Sequence, residues 1–288
     1  MIALRISCPA DKTAAVMDGL AAHEGVTGLA LMRGASVQPP GDLILADVAR
    51  EAANDVVDSL IALGVHRDGT IHLEPATTWI SRTALAAEQQ APGSSADAVV
   101  WADVSQRAYS DSELNWTYLS FMTMATMIAS IAIVLDSQIL VIGAMVLGPE
   151  FGAIAALGLA LVTKRPHLLR FAARTVVVGF VLAILVTTLW SLIGRALGWI
   201  TIQDVEGPRP DTAFIYTPDK WSFLVAMIAA AAGVLSLTSD RVGGLSGVFI
   251  SVTTVPAAGN VALGIAFWNG QQVWGSTLQL IINITGMA

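Results

Sequence analysis

The sequence predicts an α-helical polytopic membrane protein, with about six transmembrane helices, that carries a small N-terminal α+β domain. Mean hydropathy is +0.67, and only 13% of the residues are charged, against about a quarter in soluble proteins. The acidic charge lies at the start: residues 1–115 carry a net charge of −8, whereas residues 116–288 carry +1. Apolar segments long enough to cross about 30 Å of hydrocarbon occur only in the second part.

The charge, the cysteine content and the N-terminal sequence limit which partners the protein is expected to bind and which cellular compartment it is expected to occupy. No basic tract is present, which argues against nucleic acid as a partner. The single cysteine, Cys8, excludes an internal disulfide framework and fits a reducing compartment. The first residues lack the long apolar run of a secretory signal. We therefore expect the N-terminal domain to stay in the cytoplasm.

Residues 1–80 predict a β-α-β-β-α-β domain, which is the order of the ferredoxin-like fold. The turn-rich segment 34–41, with Pro39-Pro40-Gly41, is expected to lie outside regular structure. The helices would cover one face of the sheet and leave the other free to dimerise or to bind a small ligand. His66 and His72 lack companions at ligand spacing, so we expect no metal site. The predicted strands are 2–8, 26–33, 42–49 and 69–75, and the predicted helices 11–23 and 50–63.

Residues 81–115 predict a linker followed by a short interfacial helix. The linker, 81–97, is poor in apolar residues, and the helix over 98–109 carries side chains suited to a membrane surface. Ser110 and Glu113 stand three apart before an apolar run, which is the spacing of a capping box. The membrane domain, 116–288, is expected to begin there.

Loop charge predicts the orientation of the spans. Lys164-Arg165-Pro166-His167 is the only dense basic loop, and positive charge marks the cytoplasmic side of a plasma membrane. The 195–220 loop and the turn at 136–138 are then external. Trp and Tyr side chains near the ends of the spans fit the two membrane interfaces. The predicted spans are 116–135, 139–163, 168–194, 221–238, 243–268 and 271–288.

The second span is interrupted at its middle by Gly148-Pro149-Glu150. In hydrocarbon every backbone polar group must be paired, so a broken helix is tolerated only where protein or water covers the break. An ionisable residue within a span is a site hypothesis by default. We expect Glu150 to be a cation or proton ligand, or a neutral carboxylic acid that donates to backbone carbonyls freed by Pro149.

A second broken span predicts a 3+3 inverted repeat. Pro149, Gly152 and Gly158 have counterparts about 107 residues later. Three spans lie within that offset, so the halves would be inverted, as in many transporters. The alternative is that the small residues only let helices pack closely. The counterparts are Pro256, Gly259 and Gly264, and the candidate substrate-binding residues are Gly148, Pro149, Glu150, Thr253, Thr254, Pro256 and Asn260.

Two segments carry a family resemblance. The IGAM-x-x-x-P segment ending at Pro149 and the V-P-x-A-x-x-N-like segment around Pro256 resemble the uncharacterised hydrophobic-domain family of prokaryotic membrane proteins, domain of unknown function 389. The resemblance covers about 110–288 and implies a membrane topology without a settled substrate. Many members have Pro-Leu-Met-x-Pro where this chain has Pro149-Glu150-Phe151-Gly152. We therefore expect Glu150 to mark a subgroup.

These features favour an oligomeric channel or secondary transporter for a small solute or ion, with a cytosolic regulatory or assembly domain. The alternative is a membrane scaffold or ligand-sensing receptor whose spans serve oligomerisation only. The sequence has no nucleophile triad, metal-ligand spacing or phosphate-binding glycine loop, so we expect neither enzyme activity nor a cofactor. The expected partners are the lipid bilayer, further copies of the chain and the small solute or ion.

Overall fold

The computed structural model describes residues 1–76, 78–91, 93, 98–238 and 254–288. They form two compact units, of which the first is Met1–Val104 and the second begins at Ser105. Each unit has its own hydrophobic core.

A four-stranded antiparallel sheet organises the first unit, in the order β2-β3-β1-β4. Strand β1 alternates, with Ile2, Leu4 and Ile6 buried and Arg5 exposed, which is the pattern of a sheet covered on one face. The predicted β-α-β-β-α-β order is confirmed. The strands are β1 Ile2–Cys8, β2 Val26–Val37, β3 Pro40–Val48 and β4 Thr70–Pro75, and the helices α1 Thr13–Ala21, α2 Ala53–Ala62 and α3 Val65–Asp68.

The hairpin between β2 and β3 departs from the prediction. Strand β2 continues through Val37, because Ser36 pairs with Gly41 and Val37 with Pro40. Pro40 is tolerated as the first residue of its strand, a position at which proline disrupts a sheet least. The segment 34–41 is therefore mostly regular structure, contrary to expectation.

The predicted linker contains a helix, α4 Arg82–Gln90. The Ser81 side chain accepts a hydrogen bond from the backbone N–H of Ala84 and caps the first turn. Ala84 and Ala87, one turn apart, are buried. Small apolar side chains at helical spacing supply the packing that the composition of the segment did not suggest.

In the described part of the second unit, all regular secondary structure is helical. The bend between α7 and α8 is 59°. The helices are α5 Trp101–Asp111, which begins before Ser105, α6 Trp116–Val134, α7 Gln138–Leu147, α8 Glu150–Val162, α9 Pro166–Ala196, α10 Ile202–Glu206, α11 Lys220–Thr238, α12 Thr254–Ala266 and α13 Gly270–Met287.

Among the described residues two helices, α6 and α9, are long and apolar enough to cross a membrane, and the bent pair α7–α8 is a third if counted as one span. Helices α11 and α12 are apolar but shorter. Residues 243–253, the first part of the predicted span 243–268, lie outside the described residues. Six spans therefore remain a prediction.

Helix α6 begins at residue 116, as predicted, but with a different cap. Its N-cap is Asn115, whose side chain accepts a hydrogen bond from the backbone N–H of Tyr118 at 2.8 Å. Ser110 belongs to α5, so the predicted capping box with Glu113 does not form. Asparagine is as good an N-cap as serine, and Asn115 lies five residues after Ser110.

Helix α12 lies at the centre of the second unit. Every residue from Thr254 to Gly264 is buried, and the helix packs against α6, α9 and α13. Small residues allow the close approach: a Cβ on Gly259 would lie 3.0 Å from both the Ala129 Cβ and the Ser130 backbone nitrogen of α6. A helix without a polar face is typical of such a buried position.

Candidate functional site

The break between α7 and α8 is formed by Gly148 and Pro149. Pro149 has no N–H to continue the helical ladder, and the chain re-enters helix at Glu150. At 1.5 Å per residue the ten residues of α7 span about 15 Å and the thirteen of α8 about 20 Å. The break therefore lies near the middle of the bent pair.

Glu150 is completely buried at the first position of α8. Its Oε1 accepts a hydrogen bond from the Thr254 Oγ1 of α12 at 2.6 Å. Its Oε2 is buried and has no hydrogen-bond partner among the described residues. The N-terminal end of a helix favours negative charge, so the position suits a carboxylate while leaving one oxygen open to a proton or a small cation.

Gly148 lets the two segments meet. A Cβ on Gly148 would collide with the Glu150 Oε2 and would lie 2.8 Å from the Val255 Cγ2. The structure thus brings Gly148, Glu150 and Thr254 together. Pro256 is buried in α12, whereas Thr253 lies outside the described residues.

Tyr118 of α6 is a further buried polar residue. It lies near the start of the first predicted span, where an aromatic residue is expected at the membrane interface, but it is buried, and its hydroxyl has no hydrogen-bond partner in the part of the chain described. A Cβ on Gly179 of α9 would lie 2.7 Å from the Tyr118 ring. The glycine therefore makes the room for the ring.

Asn260, another of the candidate substrate-binding residues, belongs to a different cluster from Glu150. It lies six residues beyond Thr254, about 9 Å along α12. Its Nδ2 donates to the Ser276 Oγ of α13 at 2.8 Å, and its Oδ1 accepts from the Arg209 Nη1 at 3.4 Å. The predicted site residues thus divide between two buried polar clusters on one helix.

Arg209 is the charged member of the second cluster and is only 4% exposed. Its guanidinium lies over the Tyr216 ring, 5.0 Å from the centroid. Burial lowers the pKa of Arg209, and Tyr216 and Asp136 act in the opposite direction. The Asp136 Oδ1 accepts a hydrogen bond from the Thr212 Oγ1 at 2.7 Å. This bond holds the 136–138 turn and the loop after α9 at the same end of the unit.

Helix α13 adds a buried polar stripe that sequence reasoning missed. Four polar residues recur at spacings of four, three and four, which places them on one helical face. All four are buried, and the Oε1 atoms of two of them, the glutamines, have no partner among the described residues. The four-three-four spacing of these polar residues is visible in the sequence and is the signal that could have identified the stripe. The stripe consists of Gln272, Ser276, Gln279 and Asn283.

The first unit has a groove of about 510 Å³ on its sheet. Its lining includes Arg5 and His72, whose Cα atoms are register partners, together with Asp47 and Glu74. These residues lie on the face opposite the buried side chains Leu4 and Ile6. Across the described residues, no group of three or more His, Cys, Asp or Glu side chains is placed to hold a metal ion.

Comparison with known proteins identifies the family. No curated protein and no solved structure is significantly similar to the chain. A family model described as Domain of unknown function (DUF389) matches residues 145–288, which is half of the chain and includes the α7–α8 break and α12. The chain therefore belongs to the family of the Domain of unknown function (DUF389).

Proposed function

We propose that the chain is a multi-pass integral membrane protein that forms an oligomeric channel or secondary transporter for a small solute or ion. Helices α6 and α9 and the bent pair support the membrane location. Along α9 the side chains of Val177, Val181 and Leu185 are more than half exposed. Such an apolar outer surface suits lipid or a second copy of the chain.

The orientation proposed is cytoplasmic for the first unit and for the basic loop 164–167. The bond between Asp136 and Thr212 supports the pairing of the two segments assigned to the external side. Six spans in a 3+3 inverted repeat belong to this proposal, with the first unit as a regulatory or assembly domain. In both halves the repeated glycines lie at close contacts, Gly152 beside Asp111 and Gly259 beside Ala129, so close packing and a repeat are compatible.

The observation that carries the proposal is the Glu150–Thr254 pair at the break. A buried carboxylate oxygen without a donor is costly, and a proton or a small cation at the Oε2 would compensate it. Helix interruptions at mid-depth that bring an ionisable group against a neighbouring helix are typical of transporter sites. Glu150 is the proposed ligand for the proton or cation, and we propose no catalytic role for it.

The test is ion flux into liposomes that contain the purified full-length chain. A potassium diffusion potential drives uptake, which an internal pH dye reports for protons and a radioactive tracer reports for sodium. We expect uptake by the wild type, loss in Glu150→Gln, and wild-type uptake in Glu113→Gln, which removes an exposed carboxyl just before α6. Equal uptake in wild type and Glu150→Gln would remove Glu150 from the mechanism.

The second candidate function is a membrane scaffold or ligand-sensing receptor. The groove on the sheet of the first unit favours it, because Arg5 and His72, which line this groove, offer hydrogen-bond donors. The complete burial of Glu150 also fits spans that only pack together. This candidate predicts no flux in any variant, and loss of ligand binding in Arg5→Gln and His72→Gln.

A further inference from the structure

Two hydrogen-bond donors of the Arg209 guanidinium are unused within the described part of the chain. The Nε and Nη2 are both buried and have no partner there. The Nη1 donates a long bond to the Asn260 Oδ1, and the Tyr216 side chain also interacts with the guanidinium. Nε–H and Nη2–H point from the same edge of the planar guanidinium, the arrangement that binds the two oxygens of a carboxylate or phosphate in parallel.

The guanidinium is held in a fixed orientation. Its Cζ lies over the Tyr216 ring, 5.0 Å from the ring centroid. Asn260 accepts a hydrogen bond from the Nη1, and Asn260 in turn donates to Ser276. A side chain held by a ring and through one nitrogen has little rotamer freedom left to lose on binding, and preorganisation of this kind favours affinity.

Within the described residues the positive charge of Arg209 has no ion pair. Buried charges are normally paired, since an unpaired one forfeits its hydration. Arg209 makes no salt bridge to a described carboxylate. The Asp136 carboxylate favours the charged form of Arg209, but its oxygens accept hydrogen bonds from Thr212 and from the backbone N–H of Asp211. An oxyanion at the Nε–Nη2 edge would supply both missing hydrogen bonds and a compensating charge.

We infer that the Nε–Nη2 edge of Arg209 is a binding site for the oxyanion group of a small carboxylate or phosphate. The same chemistry is carried by a free solute and by a phospholipid headgroup. The inference goes beyond the proposed function, because binding at this end of the second unit requires no flux and does not involve Glu150.

The test uses the full-length chain in a detergent without phosphate groups. Thermal unfolding is measured in potassium acetate, potassium phosphate and potassium chloride at equal ionic strength, and separately with added phosphatidylglycerol. We expect a saturable rise in Tm with acetate or phosphate, but not with chloride. A rise with the lipid alone assigns the oxyanion to the headgroup.

Arg209→Lys is the decisive variant, because lysine keeps the charge but lacks the fork. We expect its apparent Kd for the oxyanion to be about tenfold weaker or more. Arg195→Lys is the matched control, since Arg195 is exposed and donates to the Ala266 carbonyl oxygen at 2.8 Å. It should bind as the wild type does.

Either of two results overturns the inference: no oxyanion-specific rise in the wild type, or the same affinity in Arg209→Lys. If Arg209→Lys does not fold, a crystal structure of the wild-type chain with selenate decides. Anomalous density against the Nε and Nη2 supports the site, whereas selenate bound only elsewhere, or none bound, rejects it.

Discussion

Gly148→Ala tests whether the α7–α8 break is built around Glu150. The backbone of Gly148 has φ −69° and ψ 126°, a conformation that alanine adopts without strain. The added methyl group would instead collide with the Glu150 Oε2 and approach the Val255 Cγ2 to 2.8 Å. The variant therefore isolates the steric fit between the break and the two side chains that face it.

Two contributions set the expected magnitude. Overpacking of this kind costs about 1–3 kcal/mol. If the carboxylate moves and loses Thr254, the lost hydrogen bond adds about 1–3 kcal/mol. Together they amount to about 2–6 kcal/mol, which corresponds to a fall in Tm of roughly 4–24 °C for a domain of this size.

The assay is thermal unfolding of the full-length chain in detergent, followed by tryptophan fluorescence. Gly143→Ala is the control, because it lies in the same helix and its Cβ would meet nothing within 4 Å. Alanine is favoured over glycine within a helix by about 1 kcal/mol, so this variant should be neutral or slightly stabilised. Equal Tm values for the two variants would refute the packing argument.

Two further predictions concern hydrogen bonds to buried carboxylates. Thr254→Val removes the donor to the Glu150 Oε1 and should lower the free energy of unfolding by about 1–3 kcal/mol. Thr254→Ser keeps the hydroxyl and should retain most of that stability. Equal Tm values for the two variants would show that the hydroxyl is dispensable. In the first unit the Gly34 N–H and then the Thr13 Oγ1, each at 2.7 Å, lower the pKa of Asp42 below its ordinary 3.8. The stability that this carboxylate contributes is present above its ordinary pKa and is lost as the pH falls through the lower folded value. The advantage of the wild type over Asp42→Asn in resisting pepsin cleavage of β1 and β3 should therefore shrink as the pH falls, and a pH-independent advantage would contradict this.

The order of strands and helices in the first unit could be predicted from local sequence patterns. The signals were the alternating apolar residues of β1 and the glycines that follow the two predicted helices, Gly25 and Gly64. The exact end of β2 did not follow, because cross-strand pairing of Val37 with Pro40 overrides the turn signal of the prolines. Helix α4 was missed because its packing relies on Ala84 and Ala87, residues that local composition barely distinguishes from a linker.

In the second unit the break and Glu150 were predictable, since proline and an intramembrane carboxylate are strong local signals. The contact between Glu150 and Thr254 was not predictable as a specific residue pair. The sequence indicated only that the segments around Pro149 and Pro256 resemble each other. Arg209 was not predictable: it comes from a proline-rich loop, where burial depends on tertiary packing over Tyr216. Asn260 was identified as polar, but its partners Arg209 and Ser276 are remote in sequence.

Helix α12 carries both Thr254 and Asn260, and α6, α9 and α13 pack against it. A shift of this helix along its axis by a fraction of a turn would loosen the Glu150 contact and the Arg209 contact together. Occupancy at one of these clusters would then bias the other across about 9 Å of helix.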